Sequence, residues 1–125
     1  MKGYFAAALA IVVGIAIAGS VANRPSAQGT AGVYAVIDIS EVSDAQGYRK
    51  VIEDSPAVTS AFGGRYIVRT DSVTSLDGIP PNRLIVIAFD NAAKAQGWFN
   101  SPALQPILEV QRRATKSRFY IVPAI

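Results

Sequence analysis

The sequence predicts a single α+β domain in which four strands and two helical regions follow one another as β-α-β-β-α-β, an antiparallel sheet with helices on one face. Three observations carry that expectation. Runs of β-branched and aromatic residues recur four times, each bounded by glycine, proline or polar clusters. Two stretches between them place apolar residues at helical spacing behind capping residues. The 125 residues, 50% apolar and 17% charged, suffice for one core and not for two.

The first strand is Val33 to Ser40, whose odd positions are all apolar, whereas Tyr34, Val36, Asp38 and Ser40 form a mixed second face. Ser43-Asp44-Ala45-Gln46 reads as a capping box, and Tyr48, Val51 and Ile52 make the apolar stripe of the first helix. Pro56 predicts a kink near Ser55, followed by a short further turn that stops at Gly63-Gly64. Arg65 to Thr70 is the second strand, with Ser72 to Leu76 extending it past a bulge before the Asp77-Gly78-Ile79-Pro80-Pro81 turn. Arg83 to Phe89 is the most hydrophobic strand and belongs at the centre.

Asp90 then caps a helix that runs through Phe99. Ser101-Pro102 opens a new segment whose Leu104, Ile107, Leu108 and Gln111 share a face, so the second helix is split. Arg118 to Val122 closes the chain as the fourth strand. Arg112, Arg113, Lys116 and Arg118 are the one basic cluster, read as the last turn of that helix, where cations complement the macrodipole.

Ahead of this domain lies an address. Met1-Lys2-Gly3-Tyr4 carries one positive charge, and Phe5 to Val21 is an uncharged run of mostly Ala, Ile, Val and Gly. Such a segment predicts a signal peptide over 1–27, cleaved near Ala22 or Ala27, then a 28–32 linker and a folded domain over 33–125. Export to the periplasm or the medium follows, with the membrane touched only through the N-terminal segment if it stays uncleaved. The whole chain has a formal charge of +3; losing Lys2 and Arg24 with the leader leaves ten basic against nine acidic residues, or +1. That balance argues against nucleic acid as a partner, because phosphate backbones demand a clustered cationic excess.

The chain has no Cys and no His. Disulfides, thiol nucleophiles, His-ligated haem and imidazole acid–base chemistry are thereby excluded, and the sequence suggests neither a metal site nor a cofactor. Asp38 and Glu41 share no face that would pair them for proton transfer, and Gly63-Gly64-Arg65 lacks the spacing and the lysine of a phosphate loop.

Strand order 4-1-3-2 with helices on one side leaves the other sheet face uncovered, and its Ile, Val and aromatic residues predict a homodimer closed face to face. Period-two alternation places Tyr34 with Asp38, and Arg65 with Arg69. The candidate site is therefore an interface pocket for a small organic, anionic or aromatic ligand, lined by Tyr34, Asp38, Arg65 and Arg69 and shaped by Trp98. The bland alternatives are ion pairs of Arg65 and Arg69 with Asp38, Asp71 or Asp77, and Trp98 as a core residue. A dimer that is purely structural or a docking module is the remaining possibility.

Several runs resemble the domain of unknown function 1330 family, in the dimeric α+β barrel superfamily of ferredoxin-like folds. They are Val42-Ser43-Asp44 with Tyr48, Phe62-Gly63-Gly64-Arg65-Tyr66-Ile67-Val68-Arg69, Asp77-Gly78, Arg83, Val86-Ile87-Ala88-Phe89, Trp98-Phe99-Asn100-Ser101-Pro102 and Arg112. Two positions depart from the family pattern: Ala88-Phe89-Asp90 stands where Glu-Phe-Pro is usual, and Leu104 where a Tyr is usual. The resemblance implies the dimeric fold and no established activity. Through the superfamily it also implies an enzymatic alternative, a cofactor-independent monooxygenase or isomerase acting on a small aromatic or lactone-like substrate.

Overall fold

In the computed structural model, which describes residues 32–125, the odd face of the first strand is where the domain is built. The expected leader and all of the linker but Gly32 lie outside the described residues. The elements are β1 (Val33–Val42), α1 (Ala45–Ala61), β2 (Arg65–Thr70), β3 (Arg83–Phe89), α2 (Ala92–Asn100), α3 (Gln105–Ala114) and β4 (Thr115–Pro123). The strands form one sheet in the order β2-β3-β1-β4 with every neighbouring pair antiparallel, which is the ferredoxin-like arrangement.

Alternation along β1 sends Val33, Ala35, Ile37 and Ile39 to one side, where they are buried with Ile87 and Phe89 of β3. Tyr48 and Val51 of α1, Trp98 of α2, and Leu104 and Leu108 from the third helical region complete that core. Each large side chain buried this way contributes roughly 1.5–3 kcal/mol. Directly opposed residues of antiparallel strands share a face, so Tyr34, Val36, Leu84, Val86, Ala88, Tyr120 and Val122 all lie on the side away from this helix-packed core.

Several local expectations need correction. The N-cap of α1 is Asp44, whose carboxylate accepts from the Gly47 N–H at 3.0 Å. Ser43 instead donates through its Oγ and its N–H to the Ala114 carbonyl, tying the start of α1 to the end of α3. Pro56 does not divide α1, which runs unbroken to Ala61 before Gly63 turns the chain with φ 79°. Ser72 to Leu76 is loop rather than strand, because Thr70 Oγ1 accepts from the Ser72 N–H and turns the backbone off the sheet.

Asn91, not Asp90, caps α2 by accepting from the Lys94 N–H at 2.9 Å, while Asp90 pairs with the Lys94 ammonium. Ser101 stabilises a turn by accepting from the Leu104 N–H, so the α-helix proper starts only at Gln105. Arg112 and Arg113 do occupy the last turn of α3, whereas Lys116 and Arg118 belong to β4.

Two bulges interrupt the strand pairing. Ser40 is an extra residue in β1 against β4, and Ile67 is an extra residue in β2 against β3.

Candidate functional site

The Ile67 bulge decides where the arginines of β2 go. Arg65 opposes Ala88 and therefore lies on the face away from the helices; beyond the bulge, Arg69 opposes Ile85 and lies on the helix face. Strict alternation would have kept the two together, and one inserted residue separates them. Tyr34 and Asp38 share the outer face with Arg65, opposite Ala88 and Leu84. Trp98, on α2, is part of the core on the helix side. Among the described residues, the five candidates are thus divided between the two faces of the sheet.

On the outer face the charges are matched across strands. Arg118 Nη2 donates to Asp38 Oδ2 at 2.7 Å from the directly opposed position, and Arg65 Nη1 lies 3.7 Å from Asp90 Oδ1. The expected partners of the arginines are thus redistributed: Arg118 takes Asp38, Arg83 takes Asp71 at 3.7 Å, and Arg65 takes Asp90.

The helix side presents a different arrangement. Tyr48 and Ile52 from α1, Arg69 near the end of β2, Asp71 just beyond that strand, and Arg83 and Ile85 from β3 surround an open cleft of ≈ 300 Å³. Arg83 reaches it because it continues the alternation of Ile85, Ile87 and Phe89, opposite Ile39. The Arg83 guanidinium sits over the Tyr48 ring, its Cζ 5.3 Å from the centroid, and the Arg69 guanidinium over the Tyr66 ring at 4.9 Å. Arg69 Nη2 donates to the Ile52 carbonyl at 3.1 Å. Among the described residues, no carboxylate is within salt-bridge range of Arg69.

Burial pushes the Tyr48 phenol above its usual pKa, while the Arg83 and, less strongly, the Arg69 guanidinium act to lower it. The phenol is accordingly a neutral hydroxyl at physiological pH, set in a field made positive by two guanidiniums. Tyr66 is fixed from behind by the Thr59 hydroxyl at 3.1 Å.

Behind the cleft a narrow cavity of ≈ 30 Å³ continues between sheet and helices, sharing Tyr48, Ile52, Arg69 and Ile85 and reaching Trp98 and Gln111. It holds about one water, so a ligand has room in the outer cleft and not behind it. Trp98 is 4% exposed, with its ring 5.3 Å from that of Phe89, and its buried indole N–H has no partner. The same residue borders a second groove of ≈ 200 Å³ against Phe99, Asn100, Phe119 and Ile121. Among the described residues, no group of three acidic side chains is placed to hold a metal ion.

Tyr48 and Arg83 were not among the candidates. Arg83 carried a usable signal, a cation in the core-facing register of the most apolar strand; Tyr48 looked like any other member of a helix stripe.

A model of a domain of unknown function, DUF1330, matches residues 32–125. No curated protein matches the chain. Among solved structures, a protein of unknown function from Rhodopseudomonas palustris is similar with a TM-score of 0.64 at 14% identity, over 77% of this chain and 84% of that one. SnoaB, a cofactor-independent oxygenase from Streptomyces nogalater, is similar with a TM-score of 0.57 at 13% identity, over 76% of this chain and 94% of that one. A nipsnap family protein with unknown function from Agrobacterium tumefaciens gives 0.52 at 16% identity, over 78% and 90%. At these identities the likeness is one of fold.

Proposed function

The chain belongs to the DUF1330 family, whose name carries no activity, and from the site itself we propose that the domain binds a small organic carboxylate with an apolar or aromatic body. The observation that carries this reading is a cleft with two guanidiniums and one matching carboxylate. Arg83 is compensated by Asp71, and Arg69 is held by a neutral carbonyl. A ligand carboxylate beside Arg69 supplies the absent charge and accepts charge-assisted hydrogen bonds, while Tyr48, Ile52 and Ile85 receive its body. A volume of ≈ 300 Å³ suits a ligand of single-ring size, at the small end of ligand sites.

Titration calorimetry with benzoate as the probe and benzyl alcohol as its uncharged counterpart tests the reading. Losing a charge-assisted contact at Arg69→Ala weakens benzoate by at least about tenfold. Equal binding of the alcohol and the carboxylate, or an unaltered affinity in the variant, refutes it.

A second reading, turnover of the bound molecule without a cofactor, is favoured by one feature, the buried and unpartnered Trp98 N–H beside the inner cavity. SnoaB shares the fold and is described as a cofactor-independent oxygenase. Oxygen uptake measured over a set of small phenols, with Trp98→Phe as the control, separates turnover from binding alone.

The setting we propose is an exported homodimer. The uncharged Phe5 to Val21 run supports export, and N-terminal sequencing of the mature protein checks it. The apolar residues of the outer sheet face support pairing with a second copy, and Val86→Lys is expected to shift the mass in light scattering from dimer to monomer.

A further inference from the structure

Pro56 is the one residue of α1 that breaks the rule for helix interiors, and the consequence appears at the candidate site. A helix residue at position 56 ordinarily donates its N–H to the carbonyl of Ile52; proline has no N–H, so that acceptor is left free inside an otherwise continuous helix. One substitute donor reaches the freed carbonyl, and a second side chain bonds the carbonyl beside it. Ser55 Oγ bonds the neighbouring Val51 carbonyl, and Arg69, seventeen residues further on and in another element, donates Nη2 to the Ile52 carbonyl at 3.1 Å.

We infer that Pro56 is a positioning residue for anion binding: by withholding an N–H it leaves the Ile52 carbonyl to hold the Arg69 guanidinium at the cleft. The inference rests on the proposed carboxylate binding and adds the device that prepares the cation. A guanidinium has five donors in a planar fork, and this anchor occupies a donor on Nη2 while stacking on Tyr66 restrains the plane. Among the described residues, no carboxylate lies within salt-bridge range of the donors left over. An arginine fixed by a neutral acceptor keeps its whole charge for the ligand, whereas one fixed by Asp or Glu has already spent much of its attraction.

Pro56→Ala restores the N–H and with it the helix bond to Ile52, in competition with Arg69. Freeing one rotamer-rich side chain before binding weakens benzoate by roughly two- to tenfold. Melting temperature is expected to stay level or rise, since alanine is the better helix former. A residue with only a structural role does not lower affinity while raising stability. In an Arg69→Ala background, Pro56→Ala is expected to have no further effect on benzoate affinity, because its action passes through that guanidinium.

If Arg69→Ala weakens benzoate and Pro56→Ala leaves it unchanged, the inference fails and the binding reading stands. If neither substitution alters the affinity, the binding reading fails and the inference goes with it. The anchor has a test that needs no change at Pro56: the Ile52 carbonyl ¹³C resonance is expected to move in Arg69→Ala, and an unmoved resonance overturns the inference.

Discussion

Two glycines are expected to respond to alanine with opposite signs, and the difference is set by about an ångström of contact distance. A Cβ on Gly64 meets Thr59 Cγ2 at 2.7 Å, Phe89 Cζ at 2.8 Å and Ile87 Cγ2 at 2.9 Å. All three neighbours are core residues, 0%, 1% and 0% exposed, so none can swing into solvent to make room. Overpacking of this kind costs about 1–3 kcal/mol. For a domain of this size each kcal/mol shifts the melting temperature by about 4–8 °C, which makes Gly64→Ala about 5–20 °C less stable. Gly97, inside α2, is the contrast: its Cβ meets only the Phe62 ring, at 3.7 and 3.8 Å, ordinary contact distances. Removing glycine's backbone entropy from a helix interior stabilises by about 0.5–1 kcal/mol, so Gly97→Ala melts higher. Paired thermal melts by circular dichroism measure both. A Gly64→Ala protein that melts with the wild type, or a Gly97→Ala protein that melts well below it, refutes the packing argument. Because Thr59 also holds the Tyr66 hydroxyl, Gly64→Ala is expected to weaken benzoate as well.

Other expectations concern charge. Tyr48 has a folded-state pKa above the usual 10.0, so the folded chain keeps its proton where the unfolded chain has lost it. That contribution to stability is complete below pH 10 and disappears as pH rises through the folded pKa, so alkaline melts of the wild type fall more steeply than those of Tyr48→Phe. Phenolate absorbance near pH 10 gives the same comparison directly, and superimposable curves count against the assignment. Arg65→Ala and Asp38→Asn, on the opposite sheet face, are expected to leave benzoate affinity unchanged in calorimetry; a loss in either places the site on the outer face instead.

Much of the fold was legible in the residues. The four strands and the split after Asn100 follow from alternation and capping chemistry, and the sheet order from the β-α-β-β-α-β plan. The site was legible only in part, for reasons of a definite kind. The Ile67 bulge is a relation between β2 and β3, and nothing within Arg65 to Thr70 announces it. Pro56 was expected to interrupt the helix with a kink near Ser55, and the donor that takes up the freed Ile52 carbonyl, Arg69, sits in another element. Asp38 was offered Arg65 or Arg69, and it pairs instead with Arg118, which the register of β4 puts directly opposite. Trp98 was read both as a core residue and as shaping the interface pocket; it packs on Phe89 in the core and walls the inner cavity.

The extra residue in β2 also has a bearing on how the family can vary. Arg65 and Arg69 are four apart in a six-residue strand, close enough to be taken for one duplicated feature. Their side chains nevertheless inhabit separate environments, divided by the thickness of a sheet, so selection can tune one without disturbing the other. A relative that kept both arginines but lost the insertion would have to slide its strand by one place or straighten it. Either change would bring both cations to a single surface and leave the opposite one without an arginine from β2.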